Sequence, residues 1–239
     1  MKYYYDLHIH SCLSPCGDAD MTPYNLVNMA KIMGLDLIAL TDHNTCGNCR
    51  AAMEVGRQTG ITVVPGMELC TAEEVHTLCL FPDIDRAEAF WRQIRTTLPP
   101  IRNKPKIFGE QLYMDAQDHI LGEEEILLLT GSSVSEAEIL RVVGEYGGFC
   151  LPAHIDRSAY SIISQLGVID ESFGFTAAEI YDRTQTQALK DRFPALNDML
   201  ILHSSDAHYL DRIREPLDAL DLPENTPEAL IDFLKNIKT

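Results

Sequence analysis

The segment YYYDLHIHS, residues 3–11, decides how this chain is read. Its front half is a short aromatic and apolar run of the kind that forms a buried strand. Side chains alternate between the two faces of a strand, so His8 and His10 share one face and form a pair of potential ligands. The pattern recurs outward along the chain. LDLIALT at 35–41 runs into His43, ITVVPGM at 61–67 into Glu68, VHTLCLF at 75–81 carries His76, GFCLPAH at 148–154 ends in His154, and MLILHSS at 199–205 runs into Asp206 and His208. With AAEIYD at 177–182 there are seven candidate strands.

Helix-like segments with spaced apolar residues follow most of them, at 23–33 after Thr22-Pro23, 50–59 closing on Gly60, 85–97, 135–146, 158–166 and 226–237. That alternation predicts an α/β fold with a mostly parallel sheet. Near-continuous apolar strands require cover on both faces, and seven of them fit a closed or nearly closed barrel better than two small sheets. The stretch 97–134 breaks the rhythm with Pro99-Pro100, a basic patch from Arg102 to Lys106, and LYMDAQDHILGEEE, two short extended pieces around a polar turn. It reads as a flap inserted between the fourth and fifth strands of a single domain spanning 1–239.

With 239 residues, 46% of them hydrophobic and 23% charged, the chain has ordinary globular composition and enough length for one large core. No run has the length of a membrane span, and Asp6, His8 and His10 interrupt the place where a signal peptide would be apolar, which predicts a cytoplasmic location. Nineteen Lys and Arg against thirty-six Asp and Glu give a formal charge of −17. Such a field argues against broad nucleic-acid binding, although short oligonucleotides and small phosphorylated ligands remain compatible with it. The charge leaves the oligomeric state open. The seven cysteines are odd in number, so reduced thiols or metal ligands are expected rather than a disulfide framework.

Six of the eight histidines lie on or just after strands. In a parallel barrel the carboxyl ends of the strands share one rim, where distant residues converge on one pocket. A lone histidine at a strand end is more often a hydrogen-bonded core or surface residue. Six buried imidazoles explained by packing alone would each need partners for both ring nitrogens. Imidazole and carboxylate together suit zinc, manganese or iron. His119 and His203 fall outside the pattern and read as structural.

DLHIHS, TDHN, PGMEL, PAHID and SSDAH, in this order and spacing, resemble the motifs of the PHP (polymerase and histidinol phosphatase) family over essentially the whole chain except the insertion. The resemblance implies a distorted (β/α)7 TIM-like barrel with a two- or three-metal centre that hydrolyses phosphoesters. By the same resemblance His8, His10, Glu68 and Asp206 hold one metal, and Glu68, His76 and His154 a second, with Glu68 bridging. His43, His208 and a residue of the loop after His10 hold the third. Here SCLSPCGDAD replaces a shorter turn, so Asp18 is favoured, with Asp20 and Cys16 as competitors.

Three divalent ions bring +6, and Asp18, Glu68 and Asp206 bring −3, leaving about +3; a bridging hydroxide lowers this to about +2, matched to a phosphomonoester dianion. The expected reaction is attack of that hydroxide on phosphorus, with His208 or a bound water protonating the leaving oxygen. Arg157 and Arg183 are the phosphate-clamp candidates, each equally explained as a surface ion pair. Asp6 shares parity with His8 and is placed either to orient it or to serve as a purely structural buried carboxylate. Cys12, Cys16, Cys46 and Cys49 could meet as a four-thiolate zinc or iron–sulfur site, although small buried fillers explain them as well. Three functions follow: a phosphoesterase releasing phosphate from a small metabolite or nucleotide, a 5'-3' exonuclease on short oligonucleotides with LPPIRNKPK at the strand, and a catalytically silent metal-binding regulatory module.

Overall fold

Each of the seven sequence-predicted strands is a strand in the computed structural model, which describes residues 1–237. In chain order the strands are β1 (Lys2–Ile9), β2 (Leu37–Leu40), β3 (Thr62–Cys70), β4 (His76–Leu80), β5 (Leu112–Met114), β6 (Ile120–Glu123), β7 (Phe149–Pro152), β8 (Ala177–Glu179), β9 (Leu200–Leu202) and β10 (Ala219–Asp221). The helices are α1 (Pro23–Ile32), α2 (Cys49–Thr59), α3 (Ile84–Arg95), α4 (Pro105–Phe108), α5 (Glu136–Glu145), α6 (Ile162–Leu166), α7 (Thr186–Arg192) and α8 (Pro227–Lys235). Local chemistry sets their ends. Thr22 caps α1 by accepting the Asn25 N–H, with Pro23 opening the helix, and Gly60 closes α2 in the left-handed conformation at φ 84°.

A curled six-stranded sheet has the order β10-β1-β2-β3-β4-β7. β8 and β9 form a separate parallel pair that docks between β7 and β1: Ile155 N–H donates to Glu179 O at 2.9 Å and His10 N–H to Ala207 O at 3.0 Å. β1, β2 and β3 are parallel, whereas β4 runs antiparallel to both β3 and β7. This corrects the expected parallel register at the fourth strand. Only residues 71–75 join β3 to β4, too few for the crossover a parallel pair requires, so the two form a hairpin. β10, with just three residues and an exposed aspartate, was not legible as a strand and pairs antiparallel with the outer end of β1.

Alternate residues feed two cores. Leu37 and Ala39 join Tyr5, Leu7, Val64, Leu78, Leu151 and the α8 residues Leu230 and Ile231, while Ile38 and Leu40 join residues of α1, α2, α3 and α5. Both sheet faces are therefore covered, and each fully buried Leu or Phe contributes roughly 1.5–3 kcal/mol. That reserve tolerates strained residues at the rim, among them His154 at φ 27° and Asp206 at φ 48°, a conformation costing about 1–3 kcal/mol each.

Residues 97–134 hold α4 and the antiparallel pair β5–β6, seated on the loops that follow β1 and β2. Leu112 N–H donates to Cys12 O at 3.1 Å, and Asn48 Nδ2 to Leu112 O at 3.0 Å. Among the described residues no helix is long and apolar enough to cross a membrane.

Candidate metal centre

Glu68, near the end of β3 and 1% exposed, is the hub of the rim. Its Oε1 lies 2.9 Å from His76 Nδ1 and His154 Nε2 and 3.3 Å from His8 Nε2; its Oε2 lies 2.9 Å from His43 Nδ1 and 3.4 Å from His10 Nε2. Asp206 Oδ1 stands 3.3 Å from the Nε2 atoms of both His8 and His10 and 3.5 Å from His208 Nδ1. His76 reaches this rim because β4 is antiparallel: its first residue pairs with Cys70, the last of β3.

Of these contacts only His154 Nε2 to Glu68 Oε1 has the geometry of a hydrogen bond. Glu68 Oε2, Asp206 Oδ1 and His154 Nδ1 are buried and have no hydrogen-bond partner. Leaving such atoms unpaired costs about 1–3 kcal/mol each. Ligand atoms gather within 4.8 Å in three groups, His8-His10-Glu68, His43-Glu68-His76 and His10-His43-His208. Orphaned carboxylate oxygens facing several imidazole nitrogens match what a cluster of divalent cations takes, so the donor set fits such a group.

Outer contacts fix the imidazoles. Glu179 Oε2 lies 2.8 Å from His8 Nδ1 and accepts the His154 N–H at 2.9 Å. Ser14 Oγ donates to Asp42 at 2.7 Å and stands 2.9 Å from His10 Nδ1, so that nitrogen carries the proton. Both arrangements turn an Nε2 lone pair inward, as metal-bound histidines require. Burial acts to lower the pKa of His8, but Glu179, Asp206 and Glu68 raise it well above the ordinary value. Burial and the neighbouring His43 also oppose protonation of His10, which Asp206 and Glu68 nevertheless raise. Glu68, despite burial, is held well below the usual carboxylate range by His76, His8 and His43. Burial brings His76 down to about 4, leaving it neutral. The carboxylates thus draw positive charge inward, and protons compete with cations for it.

The structure brings His8, His10, His43, Glu68, His76, His154, Asp206 and His208 together. Asp18 does not join them. Its Oδ1 accepts the Asp20 N–H at 2.9 Å in a local turn, Asp20 is exposed, and neither lines the pocket, whereas Cys16 lines it with His43 and His208. The loop turns tightly at Gly17, where a Cβ would collide with the Ser11 carbonyl oxygen. Burial pushes the Cys16 thiol up, but His43 and His208 bring it down to about 5.

Arg157 meets Asp206 Oδ2 at 2.8 Å and lies 4.4 Å over the Tyr181 ring, inside a pocket of about 680 Å³. Arg183 donates to Leu217 O, pairs with Asp218 at 3.1 Å and is not among the residues lining this pocket. Asp6 braces backbone instead of the His8 ring, accepting the N–H groups of His8 and Ser205. The four-thiolate arrangement does not form. Cys49 Sγ faces the carbonyls of Leu40 and Gly66, Cys46 lies in the core, and burial pushes Cys12 up to about 12. His203 bonds Asp218 at 2.8 Å and His119 bonds Asp115 at 2.9 Å, away from the rim. Sequence reasoning missed Glu179 and Ser14; the signal for Glu179 was an acid flanked by the apolar residues of AAEIY, which needs a partner once buried.

Fold and site together define a cluster of histidine and carboxylate donors that could hold metal at the rim of a curled α/β sheet. A match to the PHP domain covers residues 6–158, and the chain belongs to that family. It is 30% identical over 149 residues to the 5'-3' exoribonuclease Rnm of Salmonella typhimurium, covering 60% of this chain and 49% of that protein. It is also 36% identical over 64 residues to a phosphoribosyl 1,2-cyclic phosphate 1,2-diphosphodiesterase of Eggerthella lenta, covering 27% of this chain and 23% of that one. The chain thus spans about half the length of the first relative and about a quarter of the second. Among solved structures it resembles the lesion-specific endonuclease PfuEndoQ of Pyrococcus furiosus, with TM-score 0.73, 18% identity, and coverage of 99% of this chain and 56% of that one. A putative metal-dependent phosphoesterase from Bifidobacterium adolescentis gives 0.61, 20% identity, and coverage of 98% and 94%. At these identities the likeness is one of fold.

Proposed function

We propose that this chain is a metal-dependent phosphoesterase that cleaves the terminal phosphodiester of short oligonucleotides. The observation that carries the reading is the buried Glu68 carboxylate ringed by five imidazole nitrogens at 2.9–3.4 Å. The named activities of the Salmonella and Eggerthella relatives supply phosphorus as the reacting centre. His8, His10, Glu68 and Asp206 are assigned to one ion, and Glu68, His76 and His154 to a second. His43, His208 and Cys16, in place of Asp18, take a third, within the (β/α)7-type barrel the resemblance implies. Divalent cations held by these residues would supply an acidified water and polarisation of the phosphoryl oxygens.

The chain's own residues do the rest. Glu179 and Ser14 hold His8 and His10 in the ligating tautomer. Arg157, stacked on Tyr181 and beside Asp206 in the pocket, is placed to bind phosphoryl oxygens. A net charge of −17 disfavours long polyanions, while exposed Arg102, Lys104 and Lys106 lie on the segment whose Gly109 touches Pro15 beside the rim, and offer a short strand local contacts.

A second reading, phosphate release from a small phosphorylated metabolite or nucleotide, is favoured by the pocket's volume of about 680 Å³, which suits one small ligand. Assay separates them. A dinucleotide or trinucleotide should yield mononucleotide far faster than a nucleoside monophosphate yields phosphate. Chelation or Glu68→Gln should lower either rate at least ~100-fold, as expected for loss of metal-assisted hydrolysis. Full activity in Glu68→Gln would end the proposal.

A further inference from the structure

Tyr160 is the unexplained residue of the pocket. It lies on the loop after β7 that also carries His154 and Arg157, and its backbone is left-handed, at φ 56°. Bulky side chains rarely adopt that conformation, and such residues cluster at ligand sites. Two contacts hold it there: its carbonyl accepts the His76 N–H at 2.8 Å, and its ring stacks on the His76 imidazole with centroids 4.6 Å apart and planes 19° from parallel. The residue is 42% exposed and lines the same pocket as Arg157, Ser158 and Gln185. Among the described residues its hydroxyl makes no hydrogen bond, so what the loop presents is the ring.

Tyr181 is the other aromatic residue lining this pocket, and its ring is already taken. The guanidinium carbons of Arg157 and Arg214 lie 4.4 and 4.7 Å from its centroid. Tyr160 by contrast stacks on His76 alone, is partly exposed and lines the pocket, one imidazole ring further out than the Glu68 carboxylate. A packing role would bury the ring, and a solvated surface role would not hold its backbone in a strained state. A flat apolar face beside a guanidinium and next to a phosphate-sized cluster of ligands is the arrangement that receives an unstacked base. Such stacking tolerates every base, because each has a π-face.

We infer that Tyr160 is the stacking platform for the nucleobase whose phosphate occupies the metal centre, which makes this pocket selective for nucleotide-bearing phosphoesters without preference among bases. The inference rests on the phosphoesterase reading above. Tyr160→Gly is the informative variant, because glycine accepts a positive φ and leaves the loop undisturbed. With the metal-loaded full chain, Tyr160→Gly should lower kcat/KM on a dinucleotide roughly 10- to 100-fold, the loss of one base–aromatic stack, and leave hydrolysis of the same phosphodiester in an abasic dinucleotide unchanged. Tyr160→Phe and Tyr160→Trp should keep the dinucleotide rate. A dinucleotide with 2-aminopurine and an uncleavable methylphosphonate link should lose fluorescence on binding the natural chain and the Phe variant, and keep it with the Gly variant.

Equal losses on dinucleotide and abasic substrate would make Tyr160 a support for His76 and overturn the inference. So would unchanged rates on both, or quenching that survives in Tyr160→Gly. A natural chain that quenches 2-aminopurine but hydrolyses no phosphoester would defeat the proposed function and leave the platform standing.

Discussion

The two halves of the rim differ in how firmly they are held. The inner half, His8, His10, Glu68 and Asp206, is buried, with the His8 ring braced by a carboxylate and the His10 ring by a hydroxyl that itself leans on Asp42. The outer half is more open: beside the buried His43, the His208 side chain is 21% exposed, its Nδ1 meets a backbone carbonyl at 3.0 Å, and Cys16 is exposed. A dry, pre-oriented donor set binds a cation without further ordering, whereas an exposed one must order its loop first. Graded cation affinity follows, tight inside and labile outside.

The largest expected effect is on the inner half. Glu179→Gln keeps the shape of the side chain but removes the charge opposite His8, and should cost about 10- to 100-fold in metal affinity, measured by competition with a chromophoric chelator. Unchanged affinity would show that the brace does not matter and erase the contrast between the halves. Next comes Cys16→Ser, which should remove one bound ion per chain and abolish the thiolate-to-cobalt absorption of the cobalt-loaded protein, with the inner ions retained. Asp18→Asn should change neither. The opposite outcome would return the third position to Asp18.

The smallest effect lies outside the rim and tests what the imidazoles do for Glu68. Glu136 is also a buried carboxyl, 1% exposed, but it faces Thr77 instead of histidines, and burial pushes it up to about 8. A folded pKa above the ordinary 4.5 contributes stability that is complete below that pH and is lost as pH rises through about 8. Glu136→Gln should therefore melt roughly 2–4 °C above the natural chain beyond pH about 8, and no higher below pH 4.5, in thermal scans across pH. A pH-independent difference would mean that its partners already neutralise the charge.

Much of the site was legible because strand alternation and strand-end placement are local properties. His8 with His10, His43 after LDLIALT and His154 after GFCLP could be placed at one rim from apolar runs alone. Asp18 went astray because loop 11–20 folds by contacts invisible in sequence: Gly17 N–H donates to Ser14 O at 2.8 Å and Asp18 N–H to His208 O at 2.8 Å, which turn Cys16 to the pocket and Asp18 away from it. The partner of Arg183 was likewise invisible, since Asp218 is brought to it only by the fold.

The order of apolar runs and histidines along this chain determined an α/β scaffold, the strand ends that bear the chemistry, and most of the donor set, because periodicity and residue type are written position by position. The tertiary structure alone decided the antiparallel turn of β4 that delivers His76 to the rim, the approach of Glu179 to His8 across 171 residues, and the stacking of Tyr160 on His76. Those depend on where separate segments meet in space, and distance along a chain does not specify distance through it.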